Sequence, residues 1–201
     1  MPRTGLSAEE IKERATDVAL ARMRLLGVDK VRMTDVAKEM GVSHVALYAH
    51  FADKEALLDA VTERWLVHVE QIMAVHVSAP GEPAERMLQW LVALYQLKRQ
   101  RILSDPEPHR AFDVAVALAK PYVIAHLSKL LGQLADLFSE AGRQFDGNAD
   151  ENARLLYTAT AAYHHPTIIA QSAHSDQEPM LRQIVQLTLL GMQRAATQAR
   201  R

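Results

Sequence analysis

Apolar positions along this chain recur mostly every three or four residues, and glycine or proline interrupts them at intervals that mark out helices rather than strands. The first run opens at Ser7, where Glu10 completes a capping box, and carries Ile11, Ala15, Val18, Ala19, Met23 and Leu26 before Gly27 ends it. Val36, Ala37 and Met40 keep the period in a second, short helix that stops at Gly41. A third helix is predicted from about Ser43 to His50. A fourth runs from Lys54 to about Val77 without Pro or Gly, which at about 1.5 Å per residue makes a rod roughly 35 Å long. The segment Ser78–Pro83 (SAPGEP) is the first clear break.

Beyond it the pattern predicts a fifth helix from about Pro83 to Leu103, closed by Ser104–Pro108 (SDPEP), and a shorter sixth over about His109–Ala119. Lys120–Pro121 marks a boundary or kink before a seventh helix, about Tyr122–Ala141. Gly142–Asn148 reads as a loop. An eighth helix follows over about Asp150–Ala170, kinked at Pro166, which cannot donate a backbone hydrogen bond. After Ser175–Pro179 a ninth runs from about Met180 to Ala199, and Arg200–Arg201 reads as a frayed end. About nine helices and a scarcity of hairpin turn dipeptides predict an all-α fold. The division expected is an N-terminal three-helix domain over residues 1–53 and a C-terminal helical domain over 54–201.

Composition narrows this. At 201 residues the chain can bury a real core, and 49% of it is apolar, yet no uninterrupted apolar run approaches the length of a membrane span and no signal-peptide pattern is present. A cytoplasmic protein without membrane contact is expected. The absence of cysteine excludes disulfides and thiolate catalysis. Net charge is −1, with a slightly basic first 54 residues and a slightly acidic remainder. With so little excess charge, nucleic-acid binding would have to rest on a few placed contacts and not on a broad basic surface. Arg14, Arg22 and Arg24 read as solvated charges on the first helix.

The chemistry is concentrated in Arg32–Leu58, RMTDVAKEMGVSHVALYAHFADKEALL. Ala37, Gly41 and Leu47 stand at the offsets of a helix-turn-helix: a small residue for close crossing, a glycine for the turn, and a leucine to plug the second helix onto the first. Ser43 can cap that second helix, whose early residues would face base edges. Phe51 plugs the small core, Tyr48 points outward, and Lys54 follows Asp53, a good cap, to open the next helix. The run Gly41–Val42–Ser43, Leu47–Tyr48, His50–Phe51, Lys54, Leu57–Leu58 resembles the TetR (tetracycline repressor)/AcrR family of bacterial transcription regulators, strongly over residues 7–65 and only in architecture beyond. By that resemblance the base-reading face falls on His44, Val45 and Ala46, with Tyr48 and Ala49 near the groove, and the phosphate clamp on Ser43, Tyr48, His50 and Lys54. The chain departs from the family at Arg32, where a Ser or Thr cap is common. Arg32 and Thr34 are held as DNA contacts. Val45 and Ala46 offer only apolar contact, so His44 is the candidate for hydrogen-bonded base reading.

The resemblance also implies a homodimer on double-stranded DNA, a C-terminal effector-binding and dimerisation domain, and repression relieved by a small molecule. The last two predicted helices carry more apolar perimeter than one packing face needs. Leu155, Leu156, Ala159 and Tyr163 on one, with Leu181, Ile184, Val185, Thr188 and Met192 on the other, are the expected interface, extended by Ala162, Leu187, Leu190 and Ala195. Candidates for an effector pocket are Trp90, Tyr95, Phe112, Tyr122, His126, Tyr157, Tyr163, His164 and His165. With Met73, Met87 and Leu91 nearby, they suggest a hydrophobic or aromatic effector.

The 9 histidines do not build a metal site: His68 and His76 lie about 12 Å apart along a helix, adjacent His164 and His165 project apart, and no HxxxH pair occurs. No cofactor is expected. The competing readings are a helical enzyme using the histidines with Asp105 or Asp113, a helical protein-interaction module, and an activator without a small-molecule effector. No nucleophile–base spacing or phosphate loop supports the enzyme.

Overall fold

The computed structural model describes residues 7–199, with side chains through residue 193. Its elements are α1 (Ala8–Leu26), α2 (Met33–Met40), α3 (His44–Tyr48), α4 (Lys54–Val77), α5 (Pro83–Ser104), α6 (Pro106–Ala117), α7 (Pro121–Ala141), α8 (Ala149–Ala159), α9 (Pro166–Ser172) and α10 (Glu178–Ala199), with single 3-10 turns at Val28–Lys30, Gly142–Gln144 and Ala161–Tyr163. The fold is all-α. Arg200–Arg201 and the side chain of Ala195 lie outside the described residues.

Two compact units make up the chain. One runs to Trp65 and also takes in Asp105–Ala119; the other comprises Leu66–Ser104 and everything from Lys120 on. The expected boundary between Asp53 and Lys54 coincides with the start of α4, but that helix continues unbroken past it, and the compact units divide within it after Trp65. α6 belongs to the first unit although α5 and α7 belong to the second.

In the first unit α1 opens as its capping box predicts: Ser7 Oγ accepts from the Glu10 N–H at 3.2 Å while Glu10 Oε2 accepts from the Ser7 N–H at 2.7 Å. Ala15, Ala19 and Met23 on α1, Val36, Ala37 and Met40 on α2, and Leu47 and Phe51 close one core. α6 is fastened here by charge. Arg24 grips Asp105 with two hydrogen bonds of 2.7 and 2.6 Å, Glu107 Oε2 accepts the Val28 N–H at 2.8 Å, and Arg110 pairs with Asp29. Arg22 donates to Asp35 at 2.8 Å and Glu39 at 3.0 Å, tying α1 to α2. Arg22 and Arg24 are therefore clamps, not the solvated charges expected of them. α6 begins earlier than the predicted His109, because Pro106 takes a first-turn position where its missing N–H costs nothing.

The second unit packs α5, α7, α8 and α10 together around Met87, Trp90, Leu91, Leu94, Leu130, Leu134, Leu156, Leu181 and Val185. The predicted eighth helix is two. Thr160 turns its hydroxyl back onto the Leu156 and Tyr157 carbonyls at 2.9 and 3.2 Å, α8 ends, and a 3-10 turn intervenes. Pro166 does not kink a long helix; it opens α9, whose first turn needs no N–H from it.

Candidate functional site

The Gly41 turn is built as the spacing requires. Gly41 holds φ 70° and ψ 25°, a left-handed conformation that costs side-chain-bearing residues roughly 1–2 kcal/mol. Its N–H and that of Val42 close onto the last carbonyls of α2, the Val42 bond reaching Ala37 at 3.0 Å. Ser43 then caps α3, its Oγ accepting the Ala46 N–H at 3.1 Å. Regular helix covers only His44–Tyr48, shorter than the predicted span to His50, and Ala49 is its C-cap.

Burial sorts α3 into two faces. Leu47 is 0% exposed and Phe51 6%, whereas Val45 is 67% and Tyr48 46% exposed. Ser43, His44 and Ala49 are also exposed; Ala46 and His50 are half-buried. The His44 and Tyr48 rings meet edge to face at 6.3 Å, so the outward face holds a histidine, a small apolar patch and a phenol in one short stretch. Arg32 is the N-cap residue of α2 without a capping side chain, and both it and Thr34 are exposed. Asp53 accepts the Ala56 N–H at 2.8 Å to start α4. Lys54 is the exception among the expected contacts. Its ammonium donates to the Asp29 carbonyl at 2.8 Å, so one of its N–H groups already steadies the α1–α2 connection.

The effector candidates divide. Phe112 does not join the others: it is buried in the first unit against Trp65, at 5.2 Å, and His109. Tyr95 is core, its hydroxyl accepting the Gln177 N–H at 2.8 Å and its ring edge-on to Tyr163 at 6.0 Å. Tyr122 is half-buried at the start of α7, and His165 is exposed. The rest belong to two polar clusters in which Trp90, Lys98, His126 and His164 are buried, Glu70, Gln133 and Tyr157 half-buried and Lys129 exposed. Glu70 on α4 receives His126 Nδ1 on one carboxylate oxygen and Lys129 Nζ on the other, both at 2.9 Å. Gln133 donates to the Glu70 carbonyl at 3.0 Å and accepts from Trp90 Nε1 at 3.0 Å. Lys98 donates to the His164 carbonyl at 2.8 Å; His164 Nε2 in turn donates to the Tyr157 carbonyl at 2.9 Å, with the two rings 3.8 Å apart.

Burial sets the charges here. It lowers Lys98 to about 8. His126 falls to about 4, through burial first and with Lys98 and Lys129 adding to it, while Glu70 pulls the other way. His164 falls to about 3 for the same leading reason, helped by Lys98. Burial pushes the Tyr157 phenol up. Both histidines are therefore neutral near pH 7. Glu70, Lys98, Lys129 and Gln133 were not singled out from sequence. Lys98 had a readable signal: with Leu91, Leu94 and Tyr95 it stands at helical spacing on the apolar stripe of α5.

The expected interface is redistributed. Leu156, Leu181 and Val185 are 0% exposed, and Tyr163 is 8% exposed, so all four serve the chain's own core and not a partner. Ile184, Thr188 and Met192 are half-buried and Ala159 is exposed. The outward apolar positions are Leu155 at 54%, Met180 at 52%, Leu187 at 69% and Leu190 at 44%. No single helix among the described residues is long and apolar enough to cross a membrane, and no group of three or more metal-ligating side chains converges there.

Residues 6–61 match the N-terminal family described as bacterial regulatory proteins, tetR family, and residues 83–185 match the tetracyclin repressor-like C-terminal domain. The helix-turn-helix transcriptional regulator AcrR of Shigella flexneri is 26% identical over 108 residues, 51% of this chain and 50% of that protein. The chain thus spans about half the length of that relative. Among solved structures, a candidate transcriptional regulator of Pseudomonas aeruginosa PAO1 superposes with a TM-score of 0.72 at 19% identity, covering 98% of this chain and 97% of that one. FadR of Thermus thermophilus, a repressor solved with lauroyl-CoA, gives 0.66 at 18% identity over 90% and 94%. RolR, solved with resorcinol, gives 0.61 at 21% identity over 96% and 92%. At these identities the likeness is one of fold.

Proposed function

The chain belongs to the tetR family of bacterial regulatory proteins, and from that premise we propose that it acts as a homodimer that represses transcription at a two-fold-symmetric operator and is released by a small, largely apolar effector. Regulators of this family act by binding and not by catalysis, and the chain is read the same way, as a protein of the cytoplasm, where the DNA is.

One observation carries the reading: the two-faced α3, with Leu47 fully buried and Val45 and Tyr48 turned outward beside His44. An amphipathic helix this short, with a free apolar and aromatic side and a stapled inner side, is shaped for a groove. His44 would hydrogen-bond a base edge, Val45 and Ala46 would meet a thymine methyl, and Ser43, Tyr48, His50, Arg32 and Thr34 would hold phosphates. Lys54 would contribute through the N–H groups that Asp29 leaves it.

Operator symmetry follows from pairing. Leu155 on α8 and Met180, Ile184, Leu187 and Leu190 on α10 form the proposed interface, with Gly191 on the same side permitting close approach. Two copies then present two α3 helices, which need a spacing near one turn of duplex. Release would travel along the chain itself. It passes between the units three times, within α4, before α6 and after α6. Because Arg24–Asp105, Glu107–Val28 and Arg110–Asp29 fasten α6 to the reading unit, a shift of the α5 end, the α7 start or α4 would be delivered to α3. Effector and DNA must then weaken each other's binding equally.

The test is a gel shift with the DNA flanking the chain's own gene, run beside sedimentation. Wild type should be dimeric and shift that DNA. Leu187→Asp should be a folded monomer at least tenfold weaker on DNA. A monomeric wild type that shifts the DNA, or a Leu187→Asp monomer that binds it as tightly as wild type, would end the paired-helix account. For any one compound, saturation without change in DNA affinity removes release by that compound.

A further inference from the structure

His126 holds the one histidine nitrogen among the described residues that is buried without a hydrogen-bond partner. The residue is 4% exposed, on the inner face of α7. Its ring orientation is set from behind. Nδ1 lies 2.9 Å from Glu70 Oε1, and the other oxygen of that carboxylate is occupied by Lys129, so the ring donates and the carboxylate accepts. A neutral imidazole with its proton on Nδ1 carries a lone pair on Nε2. What remains is an acceptor in the core of the second unit, and a buried acceptor left unsatisfied costs roughly 1–3 kcal/mol.

The groups around it restrict what can fill that role. Lys98 from α5 and Lys129 from the same helix both act on His126 as positive charges, and Glu70 from α4 acts on it as a negative one. A cationic donor such as an ammonium would meet the two lysines. A carboxylate would bring only acceptors to an acceptor, and would need a second proton on His126 that burial and Lys98 disfavour. A neutral hydroxyl needs neither. It donates its own proton to Nε2, and any negative charge that develops on its oxygen is stabilised by the ammonium of Lys98.

Building on the reading of a ligand-released repressor, we propose that the effector is an apolar compound bearing a neutral, weakly acidic hydroxyl, of the phenol type, and that His126 Nε2 accepts that hydroxyl's hydrogen bond while Glu70 fixes the ring. Gln133, itself held by Trp90, ties the Glu70 main chain to α7, and the Glu70 carboxylate holds Nδ1, so the acceptor is aimed before the ligand arrives.

The test uses the full-length dimer and matched pairs that differ only in the donor: phenol and anisole, 2-naphthol and 2-methoxynaphthalene, with benzoate and laurate as carboxylate probes. Binding is read by calorimetry and release by gel shift. At least one hydroxyl compound should bind tenfold or more tightly than its methyl ether, and His126→Phe should reduce that preference to below twofold while keeping a wild-type circular dichroism spectrum. In the free wild-type protein, nitrogen NMR of the imidazole should find the proton on Nδ1. Should His126→Phe fail to fold, Glu70→Gln with the same pairs decides, since it loosens the ring without deleting it and should shrink the preference. Equal binding of ethers and hydroxyls, no binding of either, or a proton found on Nε2 overturns the proposal. Carboxylates that bind and release DNA where hydroxyls do not would overturn the effector class and leave the repressor reading standing.

Discussion

The reading face on α3 and the polar network around His126 are solved in opposite ways. On α3, the residues proposed to read DNA sit on a helix held by two buried plugs, Leu47 and Phe51, and all the proposed contacts lie between positions 32 and 54. Around His126 the groups proposed to receive an effector are buried or half-buried, and the bonds that position them span 43, 56 and 63 positions of chain. The first arrangement asks stability only of its scaffold and leaves its contacts free to vary. The second makes the proposed binding groups part of the core, so on that proposal specificity and stability are coupled there.

The largest effect should come from attacking the scaffold of the first region. Leu47→Ala leaves a cavity in a site that is 0% exposed and should cost about 2–5 kcal/mol in denaturant unfolding, with DNA binding lost along with the unit's structure. Val45→Ala, two residues away and 67% exposed, should change unfolding by less than about 0.5 kcal/mol. Equal costs at the two positions would erase the distinction between plug and face.

Next in size is an effect confined to the second region. His126 and His164 stand at about 4 and about 3, below the unfolded value near 6.5, so the unfolded chain takes up protons that the folded one refuses. Their contribution is intact above about pH 6.5 and is lost as pH falls toward 4, at up to about 1.4 kcal/mol per pH unit for each ring. Unfolding measured from pH 7 to 4.5 should show this slope, and His164→Gln should remove one ring's share of it. An unchanged slope in that variant would mean its ring already gains its proton in the folded state.

Smaller effects separate the contacts on α3. His44→Ala should cost about 1–3 kcal/mol on the preferred sequence and relax one base position. Tyr48→Phe, which removes only a hydroxyl, should cost about 1 kcal/mol on every sequence alike, read as parallel shifts in binding titrations. A sequence-selective loss with Tyr48→Phe would move it from the phosphates to the bases.

Legibility followed the same division. The turn at Gly41, the Ser43 cap and the inward Leu47 could be read because neighbouring residues dictate them, and the all-helical fold followed from periodicity. Arg22 and Arg24 could not, since their partners Asp35, Glu39 and Asp105 are placed by folding and an exposed-looking arginine on a helix carries no sign of which acid it will meet. Periodicity alone predicts one long eighth helix, and it carries no sign that the Thr160 hydroxyl bonds backward to end α8 or that Pro166 starts a new helix instead of bending an old one. The apolar perimeter of the last two helices does not say which of its positions a partner would meet, because two apolar stripes look alike in sequence until the chain's own core claims Leu156, Leu181 and Val185. Lys98 is legible by contrast: a lysine on the apolar stripe of Leu91, Leu94 and Tyr95 is carried into the core with them.

The central claim is most directly tested by selecting bound duplexes from a random pool with wild type and with His44→Ala. The account predicts that wild type enriches a two-fold-symmetric sequence, and that the variant enriches one relaxed at the same base pair in both halves. Enrichment of no sequence, or of an identical sequence by both proteins, would contradict it.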